Sequence, residues 1–246
     1  MKKRREKRER EREERERERA GERERELERG MVKVLLAATG SVATVKVPEL
    51  TSLLLEQNHQ VTVVLSPTAC HFVSKLKVQQ AGSGSGSGSA AGLGLGLNEE
   101  TSETSERKLR VYLEEDEWKA WKKMGDPVLH IDLAKWADVL LIAPLSANTL
   151  AKLANGLCDN LITSVARAWD YETKPVVCAP AMNTRMWNHP VTSVHCRLLK
   201  ERDKIHFVDP VEKVLACGDA GIGAMAPTDV VAKEAIGACT GKGNGN

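Results

Sequence analysis

The chain has 246 residues, with 36 Lys and Arg against 34 Asp and Glu and a formal net charge of +2 at pH 7. Residues 1–30 alone hold 14 basic and 11 acidic side chains, a net of +3 that leaves −1 for residues 31–246, so the basic balance gives no nucleic-acid groove. No apolar h-region follows the N-terminus and no run approaches the roughly 18 apolar residues of a membrane span, which points away from secretion and membranes and toward a cytoplasmic protein.

The chain opens on a run of Arg and Glu. Such a run offers i,i+4 ion pairs but lacks the apolar stripe that a packed helix needs, so residues 1–30 are expected to be a charged, disordered tail. Lys2-Lys-Arg-Arg5 also reads as a weak nuclear-localisation or polyanion patch. Met31 opens a new composition, and a form without the tail would begin there. From here to residue 240 one domain is expected.

Val32–Ala38 is a short apolar run ending at Thr39-Gly40-Ser41, and a helical pattern follows through Glu49–Leu55. Val61–Leu65 is a second, β-branched run, again followed by small polar residues and a helical segment. Residues 81–108, rich in Gly-Ser and Gly-Leu repeats, break the order and read as a flexible insert. Ala137–Ala143 and Pro175–Cys178 then repeat the strand-and-helix pattern, with Pro144 expected to stop the third run, and Ile205–Val208 adds a fifth. Apolar runs of this length alternating with helices predict βαβ units and a mostly parallel sheet in a three-layer α/β sandwich. Six cysteines lie far apart with no Cys-x-x-Cys pair, which argues against a structural zinc site and for a reducing compartment. No metal site is expected.

The polar groups gather where the runs end. Gly40-Ser41-Val42 lacks the three glycines of the dinucleotide fingerprint, and the second run ends in Ser66-Pro67-Thr68 with no carboxylate for a ribose. Hydroxyls at helix N-termini suit a mononucleotide phosphate, although Ser41, Ser66 and Thr68 serve equally as ordinary caps. Ser146-Ala147-Asn148-Thr149 offers three polar side chains in four positions, more than one cap needs. Ala181-Met182-Asn183, after the fourth run, points an amide and a thioether into the crevice at the carboxyl edge of the sheet. His130 stands alone between apolar residues, and nothing local promotes it above a core or surface histidine. Cys217 heads a segment with three glycines, either a flap that delivers a proton donor or a plain surface loop.

These motifs, in this order, resemble the phosphopantothenoylcysteine decarboxylases of the homo-oligomeric flavin-containing cysteine decarboxylase family, and its plant members above all. The resemblance covers about residues 31–77 and 109–236. It is carried by Leu35–Ala43, Asp116-Glu-Trp118, Gly125–Ile131, Trp136-Ala-Asp138, Ala143–Thr149, Gly156–Leu161, Arg167–Asp170, Ala179–Trp187 and Leu215–Asp219. It implies a flavodoxin-like, Rossmann-like domain that binds FMN. In such enzymes the thiol of 4′-phospho-N-pantothenoylcysteine is oxidised to a thioaldehyde, carbon dioxide leaves, and the returning electrons and a proton give 4′-phosphopantetheine for coenzyme A biosynthesis. Carried over by motif, His130 matches the catalytic histidine, Asn183 the residue that holds the substrate carboxylate, and Cys217 the proton donor. Gly40, Ser41, Val42, Ser66, Thr68, Ser146, Ala147, Asn148, Thr149 and Ala181 match FMN contacts, and Lys46, Met182 and Asn183 match the substrate side.

The resemblance further implies a homotrimer in which the histidine crosses a subunit interface, with a small-molecule substrate and no nucleic-acid or membrane partner. Related activities are a peptidyl-cysteine decarboxylase, a flavin prenyltransferase and a phosphatase-regulating flavoprotein. The His130, Asn183 and Cys217 set favours the phosphopantothenoyl substrate. The chain departs from the family after Gly223-Ala-Met-Ala226, where Pro227-Thr-Asp229 stands in place of the usual Glu-Pro, and at the insert.

Overall fold

A computed structural model describes residues 21, 30–80, 109–203, 205–214 and 220–240. The chain divides into two compact units, Met1–Val32 and Lys33–Asn246, and every described strand belongs to the second. The expected tail (but for residues 21 and 30) and the whole insert at 81–108 lie outside the described residues.

Six parallel strands form one sheet: β1 (Lys33–Ala38), β2 (Gln60–Leu65), β3 (Arg110–Leu113), β4 (Val139–Leu145), β5 (Val176–Pro180) and β6 (His206–Phe207), in the order β3-β2-β1-β4-β5-β6. This is the order of doubly wound nucleotide-binding sheets, with β2-β1-β4-β5 as its flavodoxin-like centre. The chain reverses direction across the sheet between β1 and β4, the point where such folds bind ligands. The expected three-layer α/β architecture is therefore the observed one.

The strands are continuous apolar runs because both faces are covered. Leu35, Ala37, Leu140, Ile142, Val176 and Cys178 face a cluster built with the helices Leu129–Trp136, Ala147–Asn155, Leu161–Arg167 and Pro190–Asp203. The alternate positions Val34, Leu36, Leu141 and Val177 are equally buried. The helices Val47–Glu56 and Thr228–Thr240 pack on each other and on β2, β4 and β5, burying Leu50, Leu54, Val231 and Ala235. Each buried leucine or valine among them contributes about 1.5–3 kcal/mol.

Three features differ from the sequence expectation. Pro144 does not end its strand: β4 runs through it to Leu145, with a cis Ala143–Pro144 peptide. The proline is accommodated because the β1 register ends at Ile142 and the β5 register shifts between Ile142 and Leu145, so no ladder bond is asked of its nitrogen, while its carbonyl accepts from the Thr39 N–H at 3.1 Å. Second, the edge strand β3 was not anticipated. Third, the glycine-rich segment that ends at Met225 is partly a strand, β8 (Ala220–Ala224), paired antiparallel with β7 (Val211–Val214). This hairpin lies against the turn after β5, where the Met182 N–H donates to the Gly223 carbonyl at 2.9 Å. A β-carbon on Gly223, whose φ is +153°, would overlap the Met182 carbonyl oxygen, so only glycine lets the hairpin approach this closely.

Candidate active site

The carboxyl ends of β1, β4 and β5 and the β7/β8 hairpin enclose a cavity of about 510 Å³, within the size range of small-molecule sites. Its first wall is the turn Gly40-Ser41-Val42 after β1. Ser41 caps the short 3-10 helix Val42–Lys46, its Oγ accepting from the Ala43 N–H at 3.3 Å. Gly40 is required by Thr68, since a β-carbon there would lie 2.5 Å from Thr68 Oγ1. Thr68 shares a 3.1 Å hydrogen bond with Ser66, whose Oγ in turn accepts from the Ala69 N–H at 3.1 Å.

The second wall is the start of the helix Ala147–Asn155. Ser146 Oγ accepts from the Thr149 N–H at 3.3 Å, and the Ser146 N–H donates to Thr39 Oγ1 at 2.7 Å, which ties the β4 end to the β1 end. The first-turn N–H groups of Ala147 and Asn148 have no acceptor inside their helix, and both residues line the cavity. Lys46 and Lys213 add positive charge, and no Asp or Glu is among the lining residues. Met182, Met186, Met225, Phe72 and Val45 supply apolar wall. A helix N-terminus, two ammonium groups and thioether walls together suit a flat, amphipathic ligand with an anionic end.

The chain matches the family model described as Flavoprotein over residues 22–239. It is 46% identical over 199 residues to the phosphopantothenoylcysteine decarboxylase of Arabidopsis thaliana, covering 81% of this chain and 81% of that one. A solved Cys-to-Ser variant of PPC decarboxylase complexed with pantothenoylaminoethenethiol superposes with a TM-score of 0.68 at 45% identity, over 82% of this chain and 95% of that one. The FMN binding protein AtHal3 gives a TM-score of 0.64 at 44% identity, over 82% and 93%. The chain belongs to the flavoprotein family, among the phosphopantothenoylcysteine decarboxylases.

Of the residues that the decarboxylase resemblance singles out, Gly40, Ser41, Val42, Lys46, Ser146, Ala147, Asn148, Ala181, Met182 and Asn183 converge on the cavity. Ser66 and Thr149 are buried and occupied by cap bonds, Thr68 is exposed, and none of the three is a lining residue. Asn183 Oδ1 accepts from the Arg185 N–H at 2.8 Å and caps the short helix Thr184–Trp187. Cys217, between Val214 and Ala220 in the chain, lies outside the described residues.

His130 is not brought to this cavity within one chain. It sits in the first turn of Leu129–Trp136, its side chain 27% exposed, with Nδ1 2.6 Å from Glu117 Oε1. Trp118, Trp121 and Met124, in the same part of the chain, are 75%, 51% and 92% exposed. Sequence reasoning missed Lys213 and Phe72 in the cavity and placed Met225 only as the end of the glycine-rich segment. It quoted Glu117 only as part of a motif, because its partner is thirteen residues away.

Proposed function

We propose that this chain carries out the FMN-dependent decarboxylation of 4′-phospho-N-pantothenoylcysteine to 4′-phosphopantetheine, a step of coenzyme A biosynthesis. The observation that carries the reading is the cavity at the β1/β4 reversal, where a helix N-terminus and two lysines meet an apolar wall with no carboxylate. Those residues fit FMN: the N–H groups at Ala147 and Asn148 with the Ser41 and Ser146 turns suit its phosphate, and Met182 and Val42 suit its ring. Bound FMN supplies reversible two-electron oxidation of the substrate thiol.

The chain's own groups hold and protonate. Asn183, whose Oδ1 accepts from the Arg185 N–H, lines the cavity, and its amide NH2 is the kind of donor that a substrate carboxylate needs. The Lys46 ammonium, 3.5 Å from the Met225 carbonyl, is fixed at the cavity rim as a counter-charge. Cys217 gives the proton that completes reduction of the enethiol, a role suited to a thiol whose acidity a protein can tune.

His130 acts from a neighbouring protomer of a cyclic homotrimer. Two facts support this arrangement: His130 lines no part of its own chain's cavity, and exposed Trp118, Trp121 and Met124 give its region an apolar surface of the kind that partners cover.

The test is direct. The purified protein should show a bound-flavin spectrum and release carbon dioxide from phosphopantothenoylcysteine. His130→Asn should abolish turnover with flavin retained, and Cys217→Ser should decarboxylate yet accumulate the oxidised enethiol. A colourless protein, or one that leaves the substrate intact, rejects the reading.

A further inference from the structure

One carboxylate grips His130 twice. Glu117 Oε1 lies 2.6 Å from His130 Nδ1, and Glu117 Oε2 accepts from the His130 backbone N–H at 3.1 Å. That N–H is in the first turn of Leu129–Trp136, where it has no acceptor inside the helix, and the N-cap residue Val128 makes no side-chain cap bond. Glu117 therefore stands in for the missing cap, and its negative charge suits a helix N-terminus. The carboxylate is well placed to hold this position, being only 14% exposed. Its helix, Glu114–Ala120, is itself fastened at both neighbours. Asp116 accepts from the Leu113 N–H at 2.8 Å, and Glu114 accepts from the Leu161 N–H at 2.8 Å.

We infer that Glu117 is the positioning residue of this decarboxylase: it fixes the orientation and tautomer of His130 so that Nε2 is the nitrogen presented to the substrate. The inference rests on His130 being the histidine of the proposed reaction. An ionised carboxylate only accepts hydrogen bonds, so Nδ1 must donate to it. A neutral imidazole then keeps its lone pair on Nε2. The second grip, on the backbone, holds the carboxylate plane.

The double grip makes an unusual prediction for the amide. In Glu117→Gln the backbone N–H still requires an acceptor, so the amide oxygen takes that position and the NH2 group turns to Nδ1. Nδ1 must then accept, which moves the ring proton to Nε2 and presents the wrong nitrogen state to the substrate. Glu117→Ala leaves the tautomer unforced. A purely structural glutamate predicts that Gln, the near-isostere, is the milder change; a positioning glutamate predicts that Gln is the more severe.

The experiment compares wild type, Glu117→Gln and Glu117→Ala as flavin-loaded protein. The expected loss in kcat is about 100-fold or more for Gln and about 10-fold for Ala, each with KM unchanged. In parallel, nitrogen-15 histidine NMR above the ordinary histidine titration range, with His130→Asn used to assign the ring, should show the proton on Nδ1 in wild type and on Nε2 in Glu117→Gln. Wild-type kcat in the Gln variant, Ala more damaging than Gln, or an unchanged ring tautomer overturns the inference. A wild type that releases no carbon dioxide rejects the proposed function instead, and the NMR result still decides the role of Glu117.

Discussion

The cavity wall and the His130 corner are built in opposite ways. At the wall, the Ser146 N–H donates to Thr39 Oγ1 between the ends of β4 and β1, Ser41 and Ser146 cap their own turns, and ten of the residues expected to matter meet in one chain. At the corner, His130 is held by point anchors at a partly exposed site beside uncovered tryptophans. The contrast teaches where precision comes from. A pocket at the carboxyl edge of a parallel sheet inherits its geometry from the strands, whereas a histidine outside it needs dedicated anchors to keep one orientation.

A separate anchor of the His130 helix is a short clip between Leu161–Arg167 and β5. The Lys174 ammonium, 8% exposed, donates to the carbonyls of Ala134, Lys135 and Ala137 at 2.9, 3.0 and 2.8 Å, closing the C-terminal end of the His130 helix. It also lies 5.4 Å from the Trp169 ring, whose Nε1–H donates to the Lys174 carbonyl at 3.1 Å. Lys174→Met keeps the volume and strands these acceptors, at about 3 kcal/mol, or a Tm drop of roughly 6–12 °C for a chain this size. Flavin content at room temperature should not change. If flavin is lost together with stability, the two regions are coupled and the contrast fails.

The converse variant acts on the wall. Gly223→Ala forces a β-carbon toward the Met182 carbonyl at a backbone conformation that costs about 1–3 kcal/mol in other residues. The hairpin should lift from the Met182 turn, weakening flavin retention on gel filtration while the thermal midpoint falls by less than in Lys174→Met. Full flavin retention would show that the hairpin is not needed to close the cavity.

Legibility in the sequence follows the same divide. β1, β2, β4 and β5 announce themselves because burial on both faces demands unbroken apolar runs. Ser146 announces its helix because a cap needs a short hydroxyl side chain. β3 does not: Arg110-Val-Tyr-Leu113 is an edge strand with one exposed and three half-buried residues, so no face is strongly patterned. β8 reads as a loop because glycines at 221 and 223 serve close approach to Thr184 and Met182, a requirement set by residues some forty positions earlier. Lys213 and Met225 reach the cavity on that same hairpin and shared its obscurity. Glu117 and Lys174 carry no local signal, since Glu117 ends a run of four acids and Lys174 follows the polar Glu172-Thr173, contexts that usually mark a solvated face. Only the packing of one helix against another shows what each one holds.

The smallest effect tests the far side of the clip. Tyr171 Oη donates to the Ala166 carbonyl at 2.8 Å, finishing the helix on which the His130 helix rests. Burial, and then the neighbouring Asp203 and Cys178, push its phenol above the usual tyrosine range. A phenol that resists ionisation in the folded state stabilises fully below the unfolded value, near pH 10, and that stability declines as pH rises toward the folded value. Tyr171→Phe should therefore cost about 1 kcal/mol at pH 7 from the lost hydrogen bond. Above about pH 10 the gap to wild type should narrow, because the phenylalanine protein has no phenol to ionise on unfolding. Denaturant titrations at both pH values measure this difference. Buried Cys178, also pushed up by burial, is present in both proteins. A gap that stays constant would remove Tyr171 from the clip's titrating groups and leave its hydroxyl as a simple cap.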